Sequence, residues 1–559
     1  MAYDAPDAYD LKTVDEVDYD ALCDDWEWED PETVNIATRI CDDWAEKTPN
    51  RTALYWENEQ RVERSFTFQE MANLSNQCGN ALRASGIEQG DNVALFLPSC
   101  PELLTVTLGS LKIGAVNLPL YQLFGPEGVE TRLKPTSPSI IFTDPDGLDT
   151  LERVPDEHVP EQVILLTRYS SDRSDYEGSD HDITVYEDWL AGADTSLSVA
   201  ETAPDDPAQI FFTSGTTGDP KGVVQPHRTV IGHQYLGKYI REYHHDDLLY
   251  HIGSFAWAGG FNNLIHVWAL GAPMAKYDGK FDAEVCLELL EKYDVDIMMS
   301  PPTALREIMD ISTEKIATYD IDLRVLATGG ERVSRDILEW AESTFDLFAT
   351  TIWGQTECYG IGWPAIGDEH REKLGTAGKV LPGFEATILD QNGNQLGPGE
   401  TGQLAIRRED NPTLFLGYYD DPEATEQARH GPWHLTGDAA SVDEDGYYWI
   451  EGRMDDIIIT AGYRLSPSEI ESSLNDHPAV RESAAVPVDD DRRTNTICGY
   501  VELNVGYEES DALREELQAH VKDHLAKFQY PDEIRFIDEI PKTVTGKIQR
   551  KRLADDTSE

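Results

Sequence analysis

The chain has 559 residues, of which 105 are acidic and 45 basic, for a formal net charge of −60. A field of that sign repels nucleic-acid phosphates and anionic lipid headgroups, which find no basic patch on which to release counterions, so nucleic-acid and membrane partners are excluded. Hydrophobic residues at 40% and aromatics at 9% still supply cores, and the length predicts three to four domain-sized units.

The acidic excess is spread along the whole chain, which predicts a halophilic cytoplasm where abundant ions screen the self-repulsion. Seven cysteines (Cys23, Cys41, Cys78, Cys100, Cys286, Cys358 and Cys498) are odd in number and form no CxxC pair, so neither a disulfide framework nor a zinc site is expected. Met1 to Trp28 is acidic and lacks the apolar core of a signal peptide, and no run approaches about 18 apolar residues, so a soluble, cytoplasmic protein is expected.

In chain order, residues 66–85 carry apolar side chains at helical spacing and stop before Gly86. Asn92 to Pro98 reads as a buried strand, Pro101 to Ile113 as a helix opened by proline, and Ala115 to Leu120 as the next strand, an alternation that indicates a parallel sheet covered by helices. Residues 169–206, rich in Ser, Asp and Pro, read as a surface excursion with little periodicity beyond a stretch near Trp189. Strand signals return at Ile210–Phe212, Asp296–Met299 and Arg324–Ala327. Between Gly378 and Arg407 short strands separated by Asn392-Gly393-Asn394 and Gly397-Pro398-Gly399 predict a small antiparallel or barrel-like unit. From Asp456 onward a compact mixed unit is expected, with a helix started by Ser466, Pro467 and Glu469 and a second helix whose face is Leu513, Leu517, Val521 and Leu525.

The strongest chemical signal is Phe211 to Gly222, FFTSGTTGDPKG, an apolar strand running into a loop dense in Gly, Ser and Thr that ends in Lys221. Glycines let successive N–H groups converge on an anion, hydroxyls add donors, and the lysine supplies charge against a triphosphate. It is not a Walker A loop, because Asp219 and Pro220 separate Gly218 from Lys221, which is followed by Gly222 instead of Ser or Thr. Four further segments follow: Gly329-Gly330-Glu331; Thr351 to Glu357 (TIWGQTE); Asp438 with Arg453; and Pro541 to Arg550 (PKTVTGKIQR). Taken singly these are a turn, a core tryptophan, a turn aspartate, a surface arginine and a solvated basic tail; their order makes them a set.

That ordered set resembles the adenylate-forming superfamily, and within it the medium-chain acyl-CoA synthetases, over residues 35–553. The resemblance implies an α/β fold: a large N-terminal domain, residues 1–454, of two doubly wound α/β subdomains and a small β-barrel-like subdomain, then a small mobile α+β domain, residues 455–559, hinged at Asp455. It implies ATP phosphates on Thr213, Ser214, Gly215, Thr216, Thr217, Gly218 and Lys221, and adenine beside Gly329, Gly330 and Glu331, with Trp353 stacked on it. Gly354 and Gln355 are implied to belong to the ATP/AMP site as well. Thr356 is assigned a phosphate oxygen, Glu357 Mg²⁺, Asp438 both ribose hydroxyls and Arg453 a second ribose contact. Lys547 is implied to swing in for adenylation. Rotation then brings Gly462, Tyr463 and Arg464 to the site, with Gly462 and Tyr463 at the coenzyme A tunnel.

The implied reaction is AMP-forming: a carboxylate attacks the α-phosphorus of ATP, diphosphate leaves, and the thiol of coenzyme A takes the acyl group from the adenylate. In acetate-specific relatives a second tryptophan closes the acyl pocket where this chain has Gly354. Removing an indole is expected to open room for several methylenes, each contributing about 0.8 kcal/mol when buried, so a medium-chain or aryl acid is favoured over acetate. Phe255 and Trp257 in SFAWAGG either line that cavity or are core aromatics. Ala256 stands where amino-acid adenylation domains carry an aspartate for the substrate ammonium, which argues against an amino-acid substrate. A carrier protein as acyl acceptor, a short-chain acid, a catalytically silent nucleotide-binding protein and a homo-oligomer remain open alternatives.

Overall fold

The computed structural model describes residues 17–167, 181–213, 220–240, 243–330, 333, 335–364, 372–456, 458–460, 463–465, 467–490, 494–525, 530–542 and 548–557. Two large sheets organise the first four-fifths of the chain. One runs 350–352, 325–329, 297–300, 249–251, 274–278, 52–58 and 63–67 across its width; all neighbours are parallel except the last pair. The other runs 417–418, 221–226, 207–213, 116–119, 92–96, 140–143, 162–165 and 183–185, parallel from strand 207–213 to its far edge.

Both sheets bury one face on a shared helical layer. Leu54 and Met274 of the first and Leu95 and Phe142 of the second meet helices Phe68–Ala84, Pro101–Lys112 and Ala258–Trp268 in one continuous core. Local sequence sets these helices. Thr67 and Glu70 form a reciprocal capping box at the start of Phe68–Ala84, and Pro101 opens the next helix at a position whose N–H would be unpaired anyway.

A five-stranded antiparallel sheet follows, built from 386–389, 402–407, 429–430, 433–442 and 448–453. It extends well past the expected end at Arg407. Beyond residue 456, strands Val480–Asp490, Thr494–Leu503 and Glu533–Phe536 form a separate three-stranded sheet against helices Pro467–Asn475 and Asp511–His524, with Leu513, Leu517 and Val521 buried. The expected large α/β domain and small α+β domain are both present; Ser466 of the expected helix start lies outside the described residues.

One expectation needs correction. Residues 169–206 are not only a surface excursion: Ile183–Val185 adds a parallel edge strand to the second sheet, and helix Tyr186–Leu190 buries Tyr186 and sets Trp189 edge-on to Phe142, centroids 4.9 Å apart. A three-residue strand shows no readable alternation. The glycine- and threonine-rich loop, in turn, joins strand Pro207–Thr213 to an antiparallel return strand, Lys221–Pro226, with Thr213 opposite Lys221. The element that follows the loop is therefore a strand.

At the end of that return strand, His227 is fully buried, and its Nδ1 accepts the Ile36 amide at 3.2 Å. Burial holds the imidazole down to about 4 from an ordinary 6.5. As pH falls below 6.5 the unfolded chain binds a proton that the native chain refuses until about 4. Stability present at pH 7 is therefore lost over that window, by about 2 kcal/mol at pH 5. His227→Gln, which keeps an acceptor without titrating, should reduce the drop in unfolding free energy between pH 7 and pH 5 by about that amount, measured by denaturant unfolding in molar KCl.

Candidate active site

The carboxyl ends of the central strands of both sheets open on one cleft of about 2520 Å³, bounded elsewhere by the antiparallel sheet and the small domain. Ligands of open α/β sheets bind at such ends, where loops diverge. Gly329 ends strand Val325–Gly329, and a Cβ there would lie 2.7 Å from the Ile352 carbonyl oxygen of the neighbouring strand. Gly330 has φ +87°, left-handed backbone that glycine adopts without strain. This pair is small because two strand ends converge here.

The segment after strand Thr350–Ile352 carries the densest polar network. Asp438, 8% exposed, sits on strand Trp433–Val442 in register with Arg453 of strand Tyr448–Arg453. Its Oδ2 accepts from Trp353 Nε1 at 3.0 Å and Gln355 Nε2 at 2.8 Å, and its Oδ1 from Arg453 Nη1 at 3.1 Å. Gln355 and Arg453 also both donate to the Thr436 carbonyl, at 2.8 and 2.9 Å. A carboxylate has about four lone-pair sites, so two ribose hydroxyls would have to displace at least one of these donors.

Glu357 lies at the other end of the segment, where Tyr418 donates its hydroxyl to Oε1 at 2.9 Å. Burial and the nearby Glu357 push the Tyr418 phenol far up, so it stays a donor. Lys221 Nζ stands 5.0 Å from the centre of the Tyr418 ring, which links the lysine of the glycine-rich loop to the carboxylate. Gln225 donates to the Thr356 carbonyl. Among the described residues no three His, Cys, Asp or Glu side chains gather as a metal cage. That donor set suits Mg²⁺, which keeps waters and is commonly held by one or two carboxylates together with nucleotide phosphates.

Thr213, Lys221, Gly329, Gly330, Trp353, Gly354, Gln355, Thr356, Glu357, Asp438, Arg453 and Asp455 thus all line the one cleft. Ser214, Gly215, Thr216, Thr217, Gly218, Glu331, Gly462 and Lys547 lie outside the described residues. Lys542 and Ile548, on either side of 543–547, pair in a β-bridge and both line the cleft. Tyr463 and Arg464 belong to strand Tyr463–Leu465 of the small domain, paired with Ile458–Thr460. Trp353 is nearly buried, packed among Cys358, Ile361 and Ala377, yet still borders the cleft.

Of the two aromatics that could either line the cavity or belong to the core, the structure places one in each setting. Phe255 is buried with its ring 5.0 Å from Lys276 Nζ and does not line the cleft. Trp257 does line it, packed against Tyr121 and Phe124. The space expected beside Gly354 is filled, because a Cβ there would lie 2.3 Å from Tyr359 Cε1. Sequence reasoning also missed Tyr418, Gln225 and Lys276. Burial holds the Lys276 amine down to about 7; it donates to the carbonyls of His251 (3.1 Å) and Gly253, pinning the turn that leads to Ser254. None of the three belongs to a recognisable local pattern.

The AMP-binding enzyme profile matches residues 41–419 and the AMP-binding enzyme C-terminal domain profile residues 469–547. The acetyl-coenzyme A synthetase of Bacillus subtilis (strain 168) is 34% identical, over 93% of this chain and 90% of its own. The mitochondrial acyl-coenzyme A synthetase ACSM3 of Rattus norvegicus is 32% identical over 96% and 92%. Among solved structures, the anthranilate CoA ligase AuaEII in complex with anthranoyl-AMP superposes with a TM-score of 0.83 at 26% identity, covering 94% of this chain and 98% of its own. The chain belongs to the AMP-binding enzyme family, among its AMP-forming acyl-CoA synthetases.

Removing the Tyr418 hydroxyl leaves Glu357 without its orienting donor, and a hydrogen bond to a charged group is worth about 1.5–3 kcal/mol. Tyr418→Phe should therefore raise the Mg²⁺ concentration for half-maximal activity about tenfold while the thermal transition stays nearly unchanged; a magnesium titration of diphosphate release checks this.

Proposed function

We propose that this cleft joins a carboxylic acid to coenzyme A in two half-reactions, with ATP consumed to AMP and diphosphate. The observation that carries the reading is the convergence on one cleft of Thr213 and Lys221, Gly329–Gly330, Trp353–Glu357, Asp438 and Arg453, with both flanks of the Lys547 loop. The relative solved with anthranoyl-AMP supports an acyl adenylate as the intermediate.

The roles are those the resemblance implies, and the hydrogen bonds around Asp438 and Glu357 support them. Asp438 and Arg453 hold the ribose, Trp353 and the Gly329–Gly330 turn take the adenine, and Gln355 sets the Asp438 carboxylate between them. Lys221, with the hydroxyls and amides of residues 213–218, neutralises the departing diphosphate. Glu357, oriented by Tyr418, holds Mg²⁺, which supplies charge stabilisation at the phosphates. Lys547 contacts the α-phosphate and the attacking carboxylate during the first step.

The second step requires the small domain to turn, and ion pairs frame the hinge. Arg453 is tied to Asp438 in the large domain, whereas Asp456 pairs with Arg550 at 3.1 Å and Arg550 with Glu471 at 2.8 Å in the small one. Backbone rotation at Asp455 falls between two anchored segments, as a hinge requires, and would carry Gly462, Tyr463 and Arg464 to the coenzyme A path.

Lys547→Ala should lose adenylation by about a thousandfold, in line with the loss of a transition-state charge contact, yet still form thioester from supplied acyl adenylate. Acid-dependent diphosphate exchange and adenylate consumption, measured side by side in molar KCl, separate the two steps; equal loss of both would contradict the role given to Lys547.

A further inference from the structure

Gly354 borders the cleft between Trp353 and the Thr356–Glu357 pair. Under the adenylation reading above, on which this inference rests, an acid whose carboxylate meets the α-phosphate has its tail beside this wall. The wall is closed by the ring of Tyr359, which itself lines the cleft: Cε1, Cδ1 and Cζ of that ring lie 2.3, 2.6 and 2.9 Å from where a Cβ of residue 354 would be. Only glycine at 354 accommodates the ring, so the two positions form a complementary pair.

Tyr359 is firmly held. Its amide donates to Thr413 Oγ1 at 3.1 Å, its carbonyl accepts from Asn411 Nδ2 at 3.4 Å, and Thr413 donates to Asn411 Oδ1 at 2.8 Å, with Asn411 and Thr413 both buried. Its ring meets that of His233 edge-on, centroids 5.0 Å apart. His233 is linked through Nδ1 to His266 Nε2 at 2.9 Å, a buried pair that joins helices Thr229–Ile240 and Ala258–Trp268. On its other side Tyr359 packs against an apolar cluster of Leu236, Tyr239, Trp363 and Phe384. The ring thus stands between the cleft and a close-packed apolar cluster.

We propose that Tyr359 is the end wall of the acyl cavity and the specificity-determining residue that restricts this synthetase to short acids. It acts by volume: the ring occupies, from five residues further along the chain, the space that a large side chain at 354 would take.

The test is acid-dependent diphosphate exchange and thioester formation by the full chain in molar KCl, with acetate, propionate, butanoate, hexanoate, octanoate and benzoate. The wild type should favour acetate to butanoate. Y359A should raise the ratio of kcat/KM for octanoate over propionate at least about tenfold, the effect of burying two additional methylenes, whereas Y359F, which keeps the ring, should leave the profile unchanged. A wild type that prefers octanoate, or a folded Y359A with an unaltered profile, overturns the proposal. Should Y359A lose its thermal transition, Y359L, which keeps apolar volume but uncovers Gly354, is read by the same criterion. A wild type that exchanges diphosphate with no acid overturns the adenylation reading itself, an outcome distinct from a wrong chain length.

Discussion

The buried carboxylate of Asp438 is the point at which separately built parts of the large domain are fastened together. A charged group at 8% exposure is tolerated only with donors on its oxygens, and here they come from two directions: Trp353 and Gln355 from the loop at the edge of the first sheet, and Arg453 from the last strand of the antiparallel sheet. That demand ties the two units together at this point of the cleft. Arg453 also reaches Asp455 at 3.5 Å, so the same knot extends to the residue proposed as the hinge.

The charge of the chain sets a second constraint. ATP, the acid and coenzyme A are all anionic, and a molecule of net charge −60 repels them at long range. At molar salt the Debye length shrinks to about 3 Å, which removes the long-range field and leaves contacts within a bond or two. Cations on the cleft then matter most; Arg453, Lys542 and Arg550 are there, each paired with a carboxylate, and Lys221 stands beside the Tyr418 ring. An acidic exterior and an anion-binding interior are compatible because screening uncouples them.

How much could be read from the chain depended on whether the information was local. The helix at 68–84 was legible because its apolar spacing lies within one stretch, and the nucleotide motifs were legible as short ordered strings. The edge strand 183–185 was not, since three residues carry no period. Neither was the hairpin nature of the glycine-rich loop, because Lys221–Pro226 takes its identity from pairing with 207–213 and 417–418. Tyr418 and Gln225 were invisible for the same reason: each acts on Glu357 or Thr356 across more than 60 positions of sequence.

The acyl cavity shows why a pocket cannot be read from one of its positions. From sequence, a glycine at 354 looked like a vacancy, and a vacancy implied a longer acid. Protein interiors are close-packed, so volume surrendered by one side chain is taken by whichever neighbour can reach it in an allowed rotamer. Here the neighbour is Tyr359, and the trade is visible in both directions: the ring requires the glycine, and the glycine is explained by the ring. What specifies the acid is the sum of side-chain volumes at the wall, and that sum includes the His233–His266 pair and the Asn411–Thr413 clamp that fix where the ring stands. Under the proposal made for Tyr359, substrate length is a property of a packed cluster drawn from four stretches of chain, with that ring standing at the wall of the cleft.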